Sequence, residues 1–411
     1  MIAMRRFRSV VTERAGAAEH RVCAEWFVEE LRGIGFSASV RDTPGRPIAV
    51  GHDRGSPGPS VLFCGHYETQ ASCLSRGNLC RAIHHSTQLM AFVEACRAWK
   101  AVAGQLPAAV SVLVEGEGLS GSASLRSFLH MYADELEADI GFAPAARIWC
   151  CAVPAINTML RGVCCEEFTI AVDSDQLTGP GAAADPTRIL VRILSDLHDP
   201  SGRVAIPDFY AGIDAPLPPL AGRPSGAPSG SCDLDYAPRS IVPETEREEE
   251  AMWVGPTCEI DSVSGSRTAA GRLVTSPSAF AKVSFHLVCD QDPDVVSRAF
   301  REFARARVPP GSRIEFASGK SAPPIRFTAS SPTFRKVQQA LTIEWGREAV
   351  FACGDAVPAI HALREALGME VIVTSFPKRQ DGCRTPREAS ELANYRSGVR
   401  SWVRILDALA R

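Results

Sequence analysis

The residues best placed to do chemistry in this chain are Gly65-His66-Tyr67-Glu68. They follow the apolar run Val61-Leu62-Phe63-Cys64, which reads as a buried strand. A His at the carboxyl end of such a strand, with an acid two residues on, is how zinc hydrolases can present a first ligand. A zinc centre then needs more His, Asp and Glu side chains at the ends of other strands, and the chain supplies few of them. It offers titratable groups of other kinds instead: Cys80, His84 and His85, then Glu117, then Cys353 and Asp355, then Cys383 and Arg384. Imidazole exchanges protons near neutral pH. Arg clamps a carboxylate through two parallel hydrogen bonds. These residue types suit acid/base work on a substrate that carries a carboxylate. The bland alternative for Arg384 is an ion pair with Glu68 or Glu117. For His85 it is an exposed or capping position before a helix at Ser86, for Cys353 and Cys383 an inert thiol, and for His198 and His286 a structural role.

The elements that must position these groups alternate. Apolar residues at helical spacing predict helices over 17–34, 87–102 and 123–136, and strands are expected over 37–40, 48–51, 61–64, 110–114 and 140–142. This alternation argues for a mostly parallel sheet with helices on both faces. After Arg161-Gly162 the pattern changes to strands over 168–172 and 281–288 and helices over 186–197 and 294–308. Residues 214–250, rich in Pro, Gly and Ser and ending in the run Glu244 to Glu250, read as a long loop or arm. The first style returns with helices over 331–345, 357–367 and 391–409 and a strand over 370–374. The organisation predicted is one α/β domain split in sequence, 1–163 and 322–411, with a smaller α+β domain inserted at 164–321.

Composition excludes several classes. A 411-residue chain with 45% hydrophobic residues and a formal charge of -3 is long enough for two domains and has no basic excess for nucleic acid or an anionic membrane. No apolar run reaches the ~18 residues of a membrane span, and no apolar segment follows the basic start to make a secretory signal. The adjacent pairs Cys150-Cys151 and Cys164-Cys165 fit reduced thiols, and a cytoplasmic protein is expected. Cys64, Cys96 and Cys164 lie in apolar runs and read as small buried hydrophobes.

Taken in order, several segments form a recognisable series: Gly65-His66-Tyr67; Glu115-Gly116-Glu117 with Ser120-Gly121-Ser122; Leu197-His198-Asp199 with Gly202-Arg203-Val204, Ile206-Pro207 and Phe209-Tyr210; Pro256-Thr257; Ser284-Phe285; and Gly354 with Val357-Pro358. In these the chain resembles the di-zinc exopeptidases, the family of carnosinase, cytosolic dipeptidases, aminoacylases and glutamate carboxypeptidase. The likeness covers nearly the whole chain. It implies a metallo-exopeptidase-like α/β catalytic domain, an insert acting as lid and dimerisation domain, and a homodimer through that insert.

The resemblance also implies five ligands for two zinc ions and two acids that run the chemistry, and here the chain departs from the family. His66 matches the first ligand, and Glu68 stands where the family has Asp. His84 falls on the bridging Asp, Gly118 on the catalytic Glu and Leu119 on the neighbouring Glu ligand. Arg384 falls on the last His ligand, and Ala145 lies near the second Asp ligand. The motif whose His reaches a partner's active site reads Asp175-Gln176-Leu177-Thr178-Gly179. An imidazole has one free lone pair and cannot bridge two cations, a Leu has none, and an Arg repels them. The expectation is a degenerate member without the di-zinc site and with no cofactor. It would act on a small amino-acid- or peptide-like ligand in specialised biosynthesis, with His66, Glu68, His84 and Glu117 catalytic and Arg384, Asp355 and His85 binding substrate. A non-catalytic binding protein or partner subunit is the first alternative. A residual amidohydrolase with one zinc, drawing on Cys80, His66, His84 and His85, is the second.

Overall fold

The computed structural model describes residues 16–56, 58–68, 79–118, 121–145, 153–172, 185–211, 213, 255–265, 267–269, 272–274, 278–376 and 387–411; for 79–87, 267–269, 272–274, 318 and 387–391 only the backbone is described. The described residues divide into two compact units, one holding those up to Thr158 and from Phe327 on, the other those from Met159 to Arg326.

The first unit opens with α1 (Ala17–Gly33), whose residues Cys23, Ala24, Phe27, Val28 and Leu31 recur on one buried face. Strands β1 (Ser37–Arg41) and β2 (Ile48–Asp53) follow as an antiparallel pair, then β3 (Ser60–His66), α2 (Leu79–Ala103), β4 (Ala109–Glu115), α3 (Ala123–Met131), the short α4 (Ala133–Leu136), β5 (Ile140–Pro144) and β6 (Ala155–Leu160). The helix expected over 123–136 is interrupted at Tyr132. The helix expected to start at 87 begins at Leu79, so His84 and His85 lie within α2 and not ahead of it.

The second unit contains β7 (Gly162–Val172), α5 (Pro186–Ser195), β8 (Thr257–Ser264), β9 (Arg267–Ala269), β10 (Arg272–Val274), β11 (Ser278–Leu287), α6 (Pro293–Arg305), β12 (Ser312–Ala322) and β13 (Ile325–Arg326). Its main sheet is antiparallel, in the order β12-β7-β11-β8. Along β7 buried and half-buried residues alternate, and Phe168, Ile170, Phe285, Leu190, Ile193 and Phe300 share one core, so the sheet packs its apolar face on α5 and α6. His198 pairs with Val204 in a β-bridge and His286 lies 3.7 Å from Glu259.

The chain returns through α7 (Pro332–Trp345), β14 (Val350–Gly354), α8 (Pro358–Leu367), β15 (Glu370–Ser375) and α9 (Arg387–Ala410). Ser331 caps α7, its hydroxyl accepting from the Phe334 amide at 3.1 Å, a contact of ~1 kcal/mol. In the first unit the strand order is β1-β2-β4-β3-β5-β15-β6, with β14 also on β6. The sheet is mixed where a mostly parallel one was expected: β4, β3, β5 and β15 are parallel neighbours, while β1, β2 and β6 pair antiparallel. Val61, Phe63, Val110 and Val112 face a core shared with α1, α2, α7 and α9. At its centre Phe63 stacks on Phe92 at 4.1 Å, and the edge of buried Trp402 meets both rings at 5.3 Å. Leu62 and Leu113 are equally buried on the opposite face, so both faces are covered. Among the described residues no helix is long and apolar enough to cross a membrane.

Candidate active site

In a sheet with parallel central strands, ligands bind beyond the carboxyl ends of those strands. His66 ends β3 and Glu115 ends β4, and the two are register partners, so their side chains leave the same face of the sheet. The Tyr67 amide donates to the Glu115 carbonyl at 2.9 Å, which carries the pairing one residue further. Tyr67 turns inward and donates its hydroxyl to the Pro47 carbonyl at 2.7 Å.

Glu68 is buried, and its partner is Arg46, from the turn between β1 and β2. The Arg46 guanidinium donates to the Glu68 carboxylate and, at 2.8 Å, to the Gly116 carbonyl. Glu117 accepts from the Arg46 amide at 3.1 Å, from the Ser124 amide at 2.8 Å and from the Ser124 hydroxyl at 3.0 Å. One carboxylate thus ties the β1–β2 turn to the first turn of α3. The approach is so close that a Cβ on Gly45 would lie 1.7 Å from the Glu117 oxygen, so no other residue fits there without displacing it.

Gly118 is packed against His66. A Cβ at this position would stand 2.6 Å from Cγ of the imidazole. Any side chain at 118 therefore has to displace the His66 ring. Burial pushes the His66 pKa down to about 4, against the opposing effect of a hydrogen bond with the Glu68 backbone. The ring is neutral at physiological pH.

Glu115 moves the other way. Burial drives its carboxyl up to about 8, opposed by a 2.7 Å hydrogen bond from the Ser122 hydroxyl and reinforced by the charges of Glu117 and Glu68. Its other oxygen, Oε2, is buried and has no hydrogen-bond partner among the described residues. His20 completes the surroundings. It is buried on α1 with its ring centroid 5.9 Å from that of Tyr67, and its pKa is lowered by burial first and then by Arg46.

Of the predicted site residues, the structure brings His66, Glu68 and Glu117 together. Asp355 is half-buried just past β14, and three strands, β5, β15 and β6, lie between β14 and β3 in the sheet path. His84 and His85 are on the helical backbone of α2, with side chains outside the description. Arg384 lies outside the described residues, as do Cys80 as a side chain, Cys383 and Leu119. Glu68 pairs with Arg46, and the ion pair expected for Arg384 lies outside the described residues. Among the described residues no group of three or more His, Cys, Asp or Glu is arranged to hold a metal ion.

Sequence reasoning missed Arg46, Glu115 and His20 as members of this cluster. Arg46 sits in Pro44-Gly45-Arg46-Pro47, a turn with no chemical signature. Glu115 carried a signal, as the acid that ends an apolar strand. His20 carried one too, being three and four residues before Cys23 and Ala24 on the buried face of α1.

No family model matches the chain. It is 22% identical to the Cys-Gly metallodipeptidase dug1 of Schizosaccharomyces pombe over 93% of this chain and 87% of that protein. It superposes on human carnosine dipeptidase 1 with a TM-score of 0.76 at 17% identity, covering 96% of this chain and 91% of the other. For the metallo-carboxypeptidase Sso-CP2 of Sulfolobus solfataricus the TM-score is 0.75 at 20% identity, covering 96% and 95%. The chain is thus similar in sequence to metallodipeptidases and has the mixed α/β fold of these metallopeptidase structures.

Proposed function

We propose that this protein is a metallopeptidase-fold homologue that has given up di-zinc hydrolysis and acts on an amino-acid- or peptide-like substrate by metal-independent acid/base chemistry. A step in specialised metabolite biosynthesis, such as cyclisation, acyl transfer, elimination or amide formation, suits this chemistry. The observation that carries the reading is the register pair His66 and Glu115, whose side chains leave one face of the sheet at the ends of β3 and β4 and whose proton affinities are shifted in opposite directions by burial. Environments that push two titratable groups apart in this way assign a base and an acid. In this reading His66 accepts a proton, Glu115 supplies one, Glu68 with Arg46 fixes the backbone that orients His66, and Glu117 holds the β1–β2 turn in place. His84 is a second acid/base group, and Arg384, Asp355 and His85 bind the substrate, with Arg384 taking its carboxylate.

The residues present do not fit a di-zinc centre. The family's general base position is Gly118, where the His66 ring leaves no room for a side chain. The acid two residues after His66 is already neutralised by a guanidinium. A bridging carboxylate is replaced by His84 and a His ligand by Arg384. A single zinc on Cys80, His66 and His84 is the surviving metal alternative. We further propose that the chain works in the cytoplasm as a homodimer assembled through residues 164–321.

A second reading, ligand binding without turnover, is favoured by one observation: the carboxylates of Glu68 and Glu117 are both engaged within the protein. One experiment separates the readings. Purified protein, with zinc content measured by inductively coupled plasma mass spectrometry, is incubated with an amino-acid and dipeptide library in EDTA and in zinc, and products are followed by mass spectrometry. Turnover that survives EDTA and is lost in His66→Ala supports the enzyme. Thermal stabilisation by a ligand that is never consumed supports the binding protein. Two zinc ions per chain with zinc-dependent Cys-Gly cleavage refutes both.

A further inference from the structure

A second constellation of catalytic type lies on the same unit, near the opposite ends of the central strands. Ser111 on β4 and His52 on β2 are antiparallel register partners, so their side chains leave the sheet on one face and meet. Ser111 Oγ is 2.8 Å from His52 Nδ1, and His52 Nε2 is 2.9 Å from Glu135 Oε1 on α4. An ionised carboxylate only accepts, so Nε2 carries the proton and donates to Glu135. Nδ1 is then the acceptor, and the Ser111 hydroxyl donates to it. Along β4, Ser111 lies ~13 Å from Glu115, so the two sites are separate.

The groups around the imidazole favour its neutral, proton-accepting form. Burial lowers the His52 pKa first; the hydrogen bond and charge of Glu135 oppose this, and the charges of Arg54 and Arg41 add to it. Arg41 fixes Glu135 Oε1 at 3.0 Å, and Arg54, which also donates to the Glu135 backbone carbonyl, has Nη2 3.4 Å from His52 Nδ1. Ser111 is not sealed in. It lines a cavity of about 390 Å³ together with Arg54, Ser60, Asp134, Glu137 and Asp139. Three carboxylates against one guanidinium give this cavity a negative balance that disfavours anionic ligands.

We propose that Ser111, His52 and Glu135 form a serine-nucleophile site for small neutral or cationic carboxylic esters. Ser111 Oγ bonds to the ester carbonyl carbon while its proton passes to His52 Nδ1. The carbon–oxygen bond to the alcohol breaks, and the alcohol leaves with that proton. Water then attacks the acyl-Ser111 carbonyl and yields its proton to Nδ1. The carboxylic acid departs as Ser111 Oγ recovers the proton. Arg54 lines the same cavity beside the imidazole, and Glu135 is a positioning residue that holds the imidazole in the required tautomer.

The test is covalent labelling of the full chain by an uncharged fluorophosphonate, mapped by peptide mass spectrometry, alongside release of p-nitrophenol from p-nitrophenyl acetate. One adduct on Ser111 is expected, absent in Ser111→Ala. Labelling in His52→Gln slows by about 100-fold or more, the range for loss of a general base. Glu135→Gln slows labelling and changes its pH profile, which a purely structural contact leaves alone. The proposal is overturned if excess probe leaves Ser111 unmodified, or if folded His52→Gln labels at the wild-type rate. Comparison of wild type with Ser111→Ala decides the matter even if His52→Gln does not fold.

Discussion

Replacing Glu115 by Gln tests the electrostatics of the candidate site directly. In the folded protein the Glu115 carboxyl titrates at about 8, against an ordinary value of 4.5. Between these limits the native state holds a proton that the unfolded state releases, so stability falls as pH rises through the window from 4.5 to 8. Each pH unit in that window costs ~1.36 kcal/mol. From 4.5 to pH 7 the loss is on the order of 3 kcal/mol, a large share of the ~5–15 kcal/mol by which domains are stable. Gln keeps the shape and the hydrogen bond with Ser122 but has no proton to lose. Urea unfolding of wild type and Glu115→Gln at half-unit intervals from pH 4.5 to 8.5 measures this. The two curves should coincide near pH 4.5 and diverge steadily, with the variant more stable by about 3 kcal/mol at pH 7. Curves that stay parallel across the window would show that Glu115 is ionised in the native state, and the acid role assigned to it would fall with that result.

Other perturbations probe the same region. Arg46→Met strands the buried Glu68 charge and should cost ~3–5 kcal/mol by chemical denaturation, with Arg46→Met/Glu68→Met recovering much of the loss; additive losses would show that the pair is not coupled. Gly118→Glu places a side chain against the His66 ring, and overpacking should lower stability by ~1–3 kcal/mol without creating zinc-dependent Cys-Gly cleavage. A stable, active Gly118→Glu variant would contradict the packing described. Burial pushes the thiols of Cys23, Cys164 and Cys258 up to about 12. They should therefore resist Ellman's reagent at pH 8 until denaturant is added, while Cys165 and Cys353, which are partly exposed, react before these three.

Where apolar residues repeat with one clear period, the fold could be read from the chain alone. The strand expected over 61–64 is the centre of β3, and the helix expected over 331–345 matches α7 because Ser331-Pro332 and Gly346 mark both its ends. The first turns of α2 were not legible, since Cys80 to Ser86 have no apolar stripe. Nor was β12, whose sequence Ser-Arg-Ile-Glu-Phe-Ala-Ser-Gly-Lys-Ser-Ala is largely polar and becomes a strand by pairing with β7. At the site, His66 and Glu68 announced themselves by following an apolar strand. Arg46 did not, because its role depends on a turn that is 22 residues away in sequence and becomes adjacent only when β2 and β3 enter the same sheet. Glu115 was visible as a residue but not as an acid, since its proton affinity is set by burial among Glu68 and Glu117.

The cation that balances Glu68 belongs to the same polypeptide. It is delivered by the ribosome with the rest of the chain, in fixed stoichiometry, and cannot be lost to dilution or chelation. A charge imported as an ion ties a protein's maturation to the supply of that ion and to whatever loads it. A guanidinium from the β1–β2 turn balances Glu68 without drawing on that supply.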